Sequence, residues 1–448
     1  MLLQPALAAL AACTSQPAQA PAPPLPPLDL LGYRVLARAV SGATLPGFDE
    51  EAMPMLRVQG TARTSWRVQL VDATRTESVL APATETRGQA TLLRLTLAPG
   101  QRPPGEGPGE LQLQDGDGAV LRRWPLLWST PPEQHPVLAQ AARLRKEGRF
   151  AEASQTLQQA LSQPDAGRRY WGLVEQARLV QAERGAAAAG AAWGRGAEAA
   201  GQAGLPSEVG RCLRASAYLA YNGGRHEEAL ALLAQEEQAR HGLDDPVGAA
   251  QASYVRGLVL QELGDYRRAL EQLRRARDEA WALGLDTHWL WSMEMLADLL
   301  QLLGRHGEAR QTLEQAGAFF ARPGADPELR AHYLVNRGWL LLRGMAEGGE
   351  PLDPVEPLTC FEQALQLGGH DLGRRANVLV NIAWLELLRG QPAQARQRIA
   401  EARALGGEAL EPVELFVALL EPELLLAEGK LEEARQGFVQ AEARAREE

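Results

Sequence analysis

Residues 257–276 read GLVLQELGDYRRALEQLRRA, and this spacing of small and large residues recurs along the chain. Gly264 is followed five residues later by Ala269, and Leu273 and Ala276 come four and seven residues after that alanine. A glycine between two helical patterns ends the first helix in a conformation that a β-carbon disfavours. The alanine then lets a second, antiparallel helix approach closely. The stretch therefore predicts a helical hairpin.

The same signature occurs six times. Its turn glycine is found at Gly148, Gly224, Gly264, Gly304, Gly390 and Gly429, and an alanine follows each of them after five residues. At the last small position, Glu236 stands where the other five copies have alanine. Successive alanines are separated by 76, 40, 40, 86 and 39 residues. Each long interval therefore hides one degenerate unit, the first around Gly185 and the second with helices near residues 327–343 and 355–367. About eight units are predicted.

This skeleton resembles the tetratricopeptide-repeat (TPR) family over residues 134–448. Its period near forty is similar to that of kinesin light chains and of the repeats attached to bacterial caspase-like CHAT proteases. The resemblance implies a mainly α protein, a TPR-like α-solenoid whose first helices line a concave groove. It also implies that positions 2, 5, 6, 9, 12 and 13 of each unit face the groove, where a peptide or a partner protein binds. We therefore expect a protein-interaction scaffold.

Two helical asparagines and two tryptophans suggest where a partner binds. By the position rule of the family, Asn336 and Asn381 take position 6 of the sixth and seventh units, and Trp339 and Trp384 take position 9. An asparagine amide can donate to and accept from one peptide unit, and indole rings are frequent binding hot spots. Position 2 of the fifth, sixth and seventh units holds Trp291, His332 and Asn377. The alternative is that the tryptophans only fill gaps between helices.

The first thirty residues carry a different signal. Residues 1–12 are apolar, the box LAAC follows at residues 10–13, and six prolines occur between residues 17 and 27. This resembles a bacterial lipoprotein signal, which implies cleavage before Cys13 and its acylation. No Lys or Arg precedes Arg34, which departs from the usual positively charged start. We expect a signal peptide at 1–12, lipidated Cys13 with a Pro-rich linker at 13–30, and a place in the bacterial cell envelope. The alternative is a cytoplasmic protein with a disordered leader.

Residues 31–130 alternate with the period of β-strands. The stretch WRVQL at 66–70 and the stretch RLTL at 94–97 each place apolar residues on one face. Residues 110–128 predict a hairpin around the turn DGDG at 115–118, because glycines supply the positive φ of such turns. We expect a small all-β, sandwich-like domain with a structural role.

Composition and motifs argue against several other functions. The formal charge is −10 and no dense Lys/Arg block occurs, so no nucleic-acid partner is predicted. No apolar run of about twenty residues predicts a transmembrane helix, so a membrane would be contacted only through the N-terminal lipid anchor. The three cysteines form no CxxC pair, the histidines lack metal-ligand spacing, and neither a phosphate loop nor a GxSxG motif is present.

The chain is therefore expected to have no catalytic residues, no cofactor and no bound metal. An alternative is that this chain works together with a catalytic domain. The repeats resemble those of CHAT proteases, so this chain could be the recognition half of such a protease, with the catalytic domain encoded beyond Glu448.

Overall fold

A computed structural model describes residues 28–31, 35–37, 55–59, 65–72, 74–75, 77–87, 90–97, 107–129, 136–162, 166–202, 206–241, 245–322, 325–346, 353–367, 372–405 and 413–447. The chain divides into two compact units. One includes residues 52–128, and the other includes residues 129–448. The predicted signal peptide and Cys13 lie outside the described residues, so the lipidation prediction is not addressed by the structure.

The larger unit is helical throughout its described part. Its helices are α1 Pro136–Lys146, α2 Phe150–Leu161, α3 Ala166–Gln202, α4 Pro206–Asn222, α5 His226–Ala239, α6 Pro246–Glu262, α7 Tyr266–Leu283, α8 Asp286–Leu302, α9 His306–Phe320, α10 Pro327–Ala346, α11 Val355–Leu367, α12 Leu372–Leu388, α13 Pro392–Leu405, α14 Glu414–Ala427 and α15 Leu431–Glu447. Gly185, with a φ of 81°, splits α3 into two helices.

The helices pair into eight antiparallel hairpins, numbered units 1 to 8. The halves of α3 form unit 2, and the other units are α1/α2, α4/α5, α6/α7, α8/α9, α10/α11, α12/α13 and α14/α15. In every unit except unit 2, which is the single kinked helix α3, the two helices pack on one another, and first helices of successive units are also in contact from unit 3 to unit 8. The predicted TPR-like α-solenoid of about eight repeats is confirmed, and both degenerate units are present where the long intervals predicted them.

The turn glycines end the first helices as their spacing predicted. Gly264 has a φ of 76°, its N–H donates to Gln261 O at 3.0 Å, and the N–H of Asp265 donates to Leu260 O at 2.9 Å. These two bonds satisfy carbonyl groups that the end of a helix leaves without partners. The same pair of bonds recurs at the turns of Gly148, Gly224, Gly304, Gly390 and Gly429. One backbone device thus closes six of the hairpins.

Close helix approach depends on the small residues. The alanines that follow the turns, from Ala153 to Ala434, are all buried. At Gly338 an added β-carbon would lie 2.6 Å from a ring atom of Phe361, and at Gly257 it would lie 2.7 Å from Leu273. Contacts this short cannot be accommodated without moving a side chain that fills the core. The small residues therefore set the spacing within each hairpin.

The smaller unit is an all-β sheet. Its strands are β1 Leu28–Leu31, β2 Val35–Ala37, β3 Met55–Gln59, β4 Arg67–Asp72, β5 Glu77–Arg87, β6 Ala90–Leu97, β7 Gly107–Gln114 and β8 Val120–Ser129. The predicted hairpin is present as β7 and β8, with Gly118 at a φ of 83°. The carboxylate of Asp115 accepts hydrogen bonds from the backbone N–H groups of Asp117 and Ala119 at 3.0 and 2.8 Å.

The strands of the smaller unit pair in an order that differs from their order in the sequence. The eight described strands join in one sheet with the order β1-β3-β6-β5-β4-β7-β8-β2, rather than in two separately hydrogen-bonded sheets. Alternation with period two defines a buried face on each strand, but it does not determine whether the next strand extends the same sheet. The predicted small all-β domain before the repeats is thus confirmed, and the structure adds the order in which its strands pair.

None of the helices in the described ranges is long and apolar enough to cross a membrane.

Candidate functional site

A cleft of about 470 Å³ runs across the first helices of units 3 to 6. Its walls come from α4, α6, α8 and α10, and from no second helix. Position 2 of these four units supplies a matching row of side chains, namely Arg211, Gln251, Trp291 and His332. The cleft thus lies on the face where the repeat pattern predicted a binding groove.

One end of the cleft is a buried polar network around Arg214 of unit 3. Its guanidinium donates to the carboxylate of Glu236 and to the side-chain oxygen of Gln251, and it lies 3.4 Å from Gly248 O. Arg240 contacts the same Glu236 oxygen at 3.3 Å. Burial raises the pKa of Glu236, and the two arginines oppose that shift. Glu236 is the residue that breaks the alanine pattern, and the network explains why.

A second carboxylate is enclosed beside this network. The Tyr170 hydroxyl donates to Glu208, and Arg211 lies 3.8 Å from the same carboxylate oxygen. Burial raises the pKa of Glu208, whereas Arg211 lowers it. Both arginines at this end of the cleft are therefore held by buried carboxylates.

The middle of the cleft is aromatic. The rings of Tyr254 and Trp291 lie 6.1 Å apart, centre to centre, and His288 meets the Trp291 indole edge-on at 5.1 Å. Tyr218 adds an exposed ring from unit 3. Burial raises the pKa of Tyr254 far above its ordinary value, so its phenol remains a neutral hydroxyl. Rings of this kind provide apolar contact area with a polar edge, a combination that binding sites favour.

The other end of the cleft joins units 5 and 6 through Glu294 and His332. The Nε2 atom of His332 is 3.3 Å from Glu294 Oε2 and 3.0 Å from the side-chain nitrogen of Asn336. Glu294 is only 8% exposed, and its Oε1 atom has no hydrogen-bond partner among the described residues. One imidazole nitrogen thus lies between a carboxylate and an amide, so it can satisfy only one of them at a time.

The structure separates the residues that the sequence singled out. Trp291 and His332 line the cleft, and Asn336 contacts His332. Asn381 is 3% exposed and donates to Asn377 one turn earlier at 2.6 Å.

The two remaining tryptophans lie outside the cleft lining. Trp384 packs edge-on against Phe416 of unit 8 at 5.7 Å, and Trp339 lies beneath the guanidinium of Arg343 at 4.8 Å. These contacts fit the alternative in which the tryptophans pack between helices. Partner binding by Asn377, Asn381, Trp339 and Trp384 stays a prediction.

Several cleft residues were missed by the sequence analysis. They are Arg211, Arg214, Tyr218, Gln251, Tyr254, His288 and Glu294. The signal was available, because all but His288 occupy positions 2, 5 or 9 of units 3 to 5. The same position rule that selected Trp291 and His332 selects them when it is applied to every unit. The two helical asparagines, Asn336 and Asn381, instead pointed to units 6 and 7 as the binding site.

Metal and thiol chemistry has little support in this part of the chain. Among the described residues, no three His, Cys, Asp or Glu side chains are grouped closely enough to hold a metal ion. Burial raises the pKa of the Cys212 thiol to about 12 and that of the Cys360 thiol to about 11. Thiols with such values carry almost no thiolate at neutral pH, so neither is an activated nucleophile.

Comparison with known proteins identifies the fold but no close relative. The sequence matches no family model and no curated protein. The crystal structure of a Rap protein complexed with Competence and Sporulation Factor is similar with a TM-score of 0.50 and 11% sequence identity, over 70% of this chain and 84% of that chain. The Rap conjugation gene regulator of the plasmid pLS20, in complex with the Phr* peptide, gives a TM-score of 0.44 and 14% identity, over 70% and 94%.

A third similar structure contains the nearly identical TPR-like repeats of a Podosopora anserina kinesin light chain. It is 20% identical to this chain, with a TM-score of 0.34, and it covers 44% of this chain and 100% of its own. The helical unit of this chain therefore has the TPR-like repeat fold. At such identities the likeness concerns the fold alone.

Proposed function

We propose that this chain is a protein-interaction scaffold that binds an extended peptide segment in the cleft of units 3 to 6. The observation that carries the proposal is the cleft itself, built only from first helices, with aromatic rings at its centre and buried charged groups at both ends. First helices of neighbouring units are about 8–10 Å apart. Three such intervals match roughly seven to nine residues of extended chain.

The fold likeness supports the binding of a partner molecule. The Rap protein with a similar fold was solved in complex with Competence and Sporulation Factor. That complex belongs to the other protein, and we extend partner binding to this chain only as a proposal. The cleft chemistry points the same way, because rings and buried polar groups offer both apolar contact and hydrogen bonding to a peptide.

Removing the aromatic side chains at the centre of the cleft is expected to weaken peptide binding. Random nine-residue peptides displayed on phage are selected on the immobilised protein, and the binding of the best synthetic peptides is measured by calorimetry. The double variant Tyr254→Ala/Trp291→Ala is expected to weaken the binding of these peptides about thirtyfold or more, because the two aromatic residues together should contribute about 2 kcal/mol or more. Phe438→Ala, an exposed ring in unit 8, is the matched control and should leave binding unchanged.

The variant Asn336→Ala/Asn381→Ala tests the sequence-based site in the same assay. Loss of binding in this variant but not in Tyr254→Ala/Trp291→Ala would place the peptide-binding site in units 6 and 7 instead. Circular dichroism spectra like that of the wild type are required of every variant. If no peptide is enriched on the wild type, the proposed function is wrong.

We also propose that the protein is held on a bacterial membrane through Cys13. The support is the LAAC box at residues 10–13, followed by a proline-rich stretch suited to an extended spacer. Intact mass spectrometry of the protein expressed in a bacterium is expected to give a mass lower by residues 1–12 and higher by acyl groups. Cys13→Ser should keep the unprocessed mass. A wild-type mass that includes Met1 would contradict the proposal.

The CHAT-protease alternative also stays a prediction. It rests on the resemblance of the repeats, and reading the coding sequence beyond Glu448 tests it. An open frame that encodes a caspase-like domain would favour it over a separate scaffold.

A further inference from the structure

The charges at the two ends of the cleft are compensated to different degrees. Arg214 is held by Glu236, and Arg211 lies 3.8 Å from Glu208, so both arginines that unit 3 contributes to the cleft have a buried negative partner. Glu294, at the other end, has no Lys or Arg among its ion-pair partners in the described residues. Its only ion-pair partner there is His332, which carries a charge only when protonated.

The burial of Glu294 lowers the stability of the free protein. The residue is more than nine-tenths buried, it lines the cleft, and its Oε1 atom lacks a hydrogen-bond donor in the described structure. A buried carboxylate without a full set of partners is destabilising, and a donor or cation that arrives with a ligand removes that penalty. The terminal torsion of a glutamate is broad, so the carboxylate can turn toward a group in the cleft.

The side chains beside Glu294 suit a cation. Trp291 comes three residues earlier in the same helix, and Tyr254 faces Trp291 from unit 4 with a ring separation of 6.1 Å. Indole and phenol faces attract ammonium and guanidinium groups, and they also pack against the aliphatic stems of lysine and arginine. An apolar ligand side chain would leave the Oε1 atom of Glu294 without a donor. An acidic one would be repelled by the carboxylate.

We propose that the cleft selects a peptide by a basic side chain, lysine or arginine, which binds to Glu294 beside the packed rings of Tyr254 and Trp291. This inference rests on the proposed peptide-binding function and names the chemistry of the ligand. His332 then acts as the alternative partner of Glu294. The imidazole occupies one carboxylate oxygen in the free protein, and the basic side chain takes over when the peptide is bound.

The phage-displayed nine-residue library provides the test. Selection on the wild-type protein is expected to enrich lysine or arginine at one fixed position of the peptides. Synthetic versions of the best peptides are acetylated at the N-terminus, and in a second set lysine is replaced by norleucine or arginine by citrulline. The neutral peptides should bind about tenfold to a hundredfold more weakly.

Glu294→Gln should bring the ratio of the two affinities, for the basic peptide and for its neutral analogue, close to one. The amide keeps the shape of the side chain and removes its charge. Glu271→Gln is the matched control, since Glu271 is exposed on the second helix of unit 4, away from the cleft. It should leave the ratio unchanged. Thermal unfolding of both variants verifies that they fold.

The outcomes separate the two proposals. No enrichment on the wild type overturns the proposed function. Enrichment without a basic position, or a basic preference that persists in Glu294→Gln, overturns this inference alone. Loss of binding on N-terminal acetylation also overturns it, because the recognised cation would then be the α-amine.

Discussion

Replacing Glu236 with alanine is expected to lower the free energy of unfolding by about 3–5 kcal/mol. The result runs against the repeat pattern, because alanine occupies the equivalent position of five other units. Glu236 is 0% exposed, and both Arg214 and Arg240 direct their guanidinium groups at it. Without the carboxylate, the buried Arg214 loses its ion-pair partner Glu236, although it keeps hydrogen bonds to neutral oxygens of Gly248 and Gln251. Removing one partner of a buried ion pair is strongly destabilising.

The neighbouring glutamate provides the control. Glu237 pairs with Arg256 at 3.0 Å, but its side chain is exposed, so Glu237→Ala should cost less than about 1 kcal/mol. The double variant Arg214→Leu/Glu236→Ala should recover part of the loss, since replacing both partners of a buried pair by apolar residues is often nearly neutral, while Arg240 still lacks the carboxylate. Urea unfolding followed by circular dichroism measures all three. A single Glu236→Ala variant as stable as Glu237→Ala would contradict this account of the network.

Glu236 also illustrates how far the sequence could be interpreted. The break in the alanine pattern was visible, and so was its place on a second helix. Its partner was not, because Arg214 lies 22 residues away on another helix and nothing local links the two. The repeat signature predicted the hairpins because small residues and turn glycines act locally. The order of the β-strands could not be predicted, because strand pairing is non-local.

The candidate site was predicted only in part for a related reason. Position within a unit determines which side chains face the first-helix surface, and two of the residues selected in this way, Trp291 and His332, line the cleft. Their binding to a partner stays a prediction. The same rule selected Trp384, whose ring instead packs against Phe416 of the next unit. Whether a ring on that surface contacts a ligand or a neighbouring helix depends on the residues of the next unit. Only the structure shows those contacts.

Replacing Phe320 with alanine is expected to cost about 3–5 kcal/mol as well. Phe320 ends the second helix of unit 5 and is fully buried. Its ring stacks on Tyr333 of unit 6 at 5.5 Å and meets Phe319 edge-on at 5.0 Å. The Tyr333 hydroxyl donates to Leu313 O at 2.8 Å, which adds a polar bond to the same interface. The substitution therefore leaves a cavity between two units rather than inside one.

The position of that cavity predicts more than a loss of stability. In a solenoid each unit is stabilised mainly by its neighbours, so a weakened interface lets the two sides unfold separately. Phe320→Ala should accordingly divide the urea transition, with hydrogen exchange of α10 to α15 becoming faster before that of α4 to α8. Phe438→Ala removes the same kind of ring where it is 40% exposed, and it should cost about 0.5 kcal/mol.

The cleft also crosses the interface between units 5 and 6. Glu294 lies on α8 and His332 on α10, and their 3.3 Å contact requires the two units to keep their relative positions. Phe320 does not line the cleft. Phe320→Ala should nevertheless lower the affinity for the selected peptides, in proportion to the population of molecules in which unit 6 is detached from unit 5. If peptide binding and the hydrogen-exchange protection of α10 both recover on cooling, the loss of binding is caused by this detachment. If binding were lost while α10 stayed protected, the interface would have a different role.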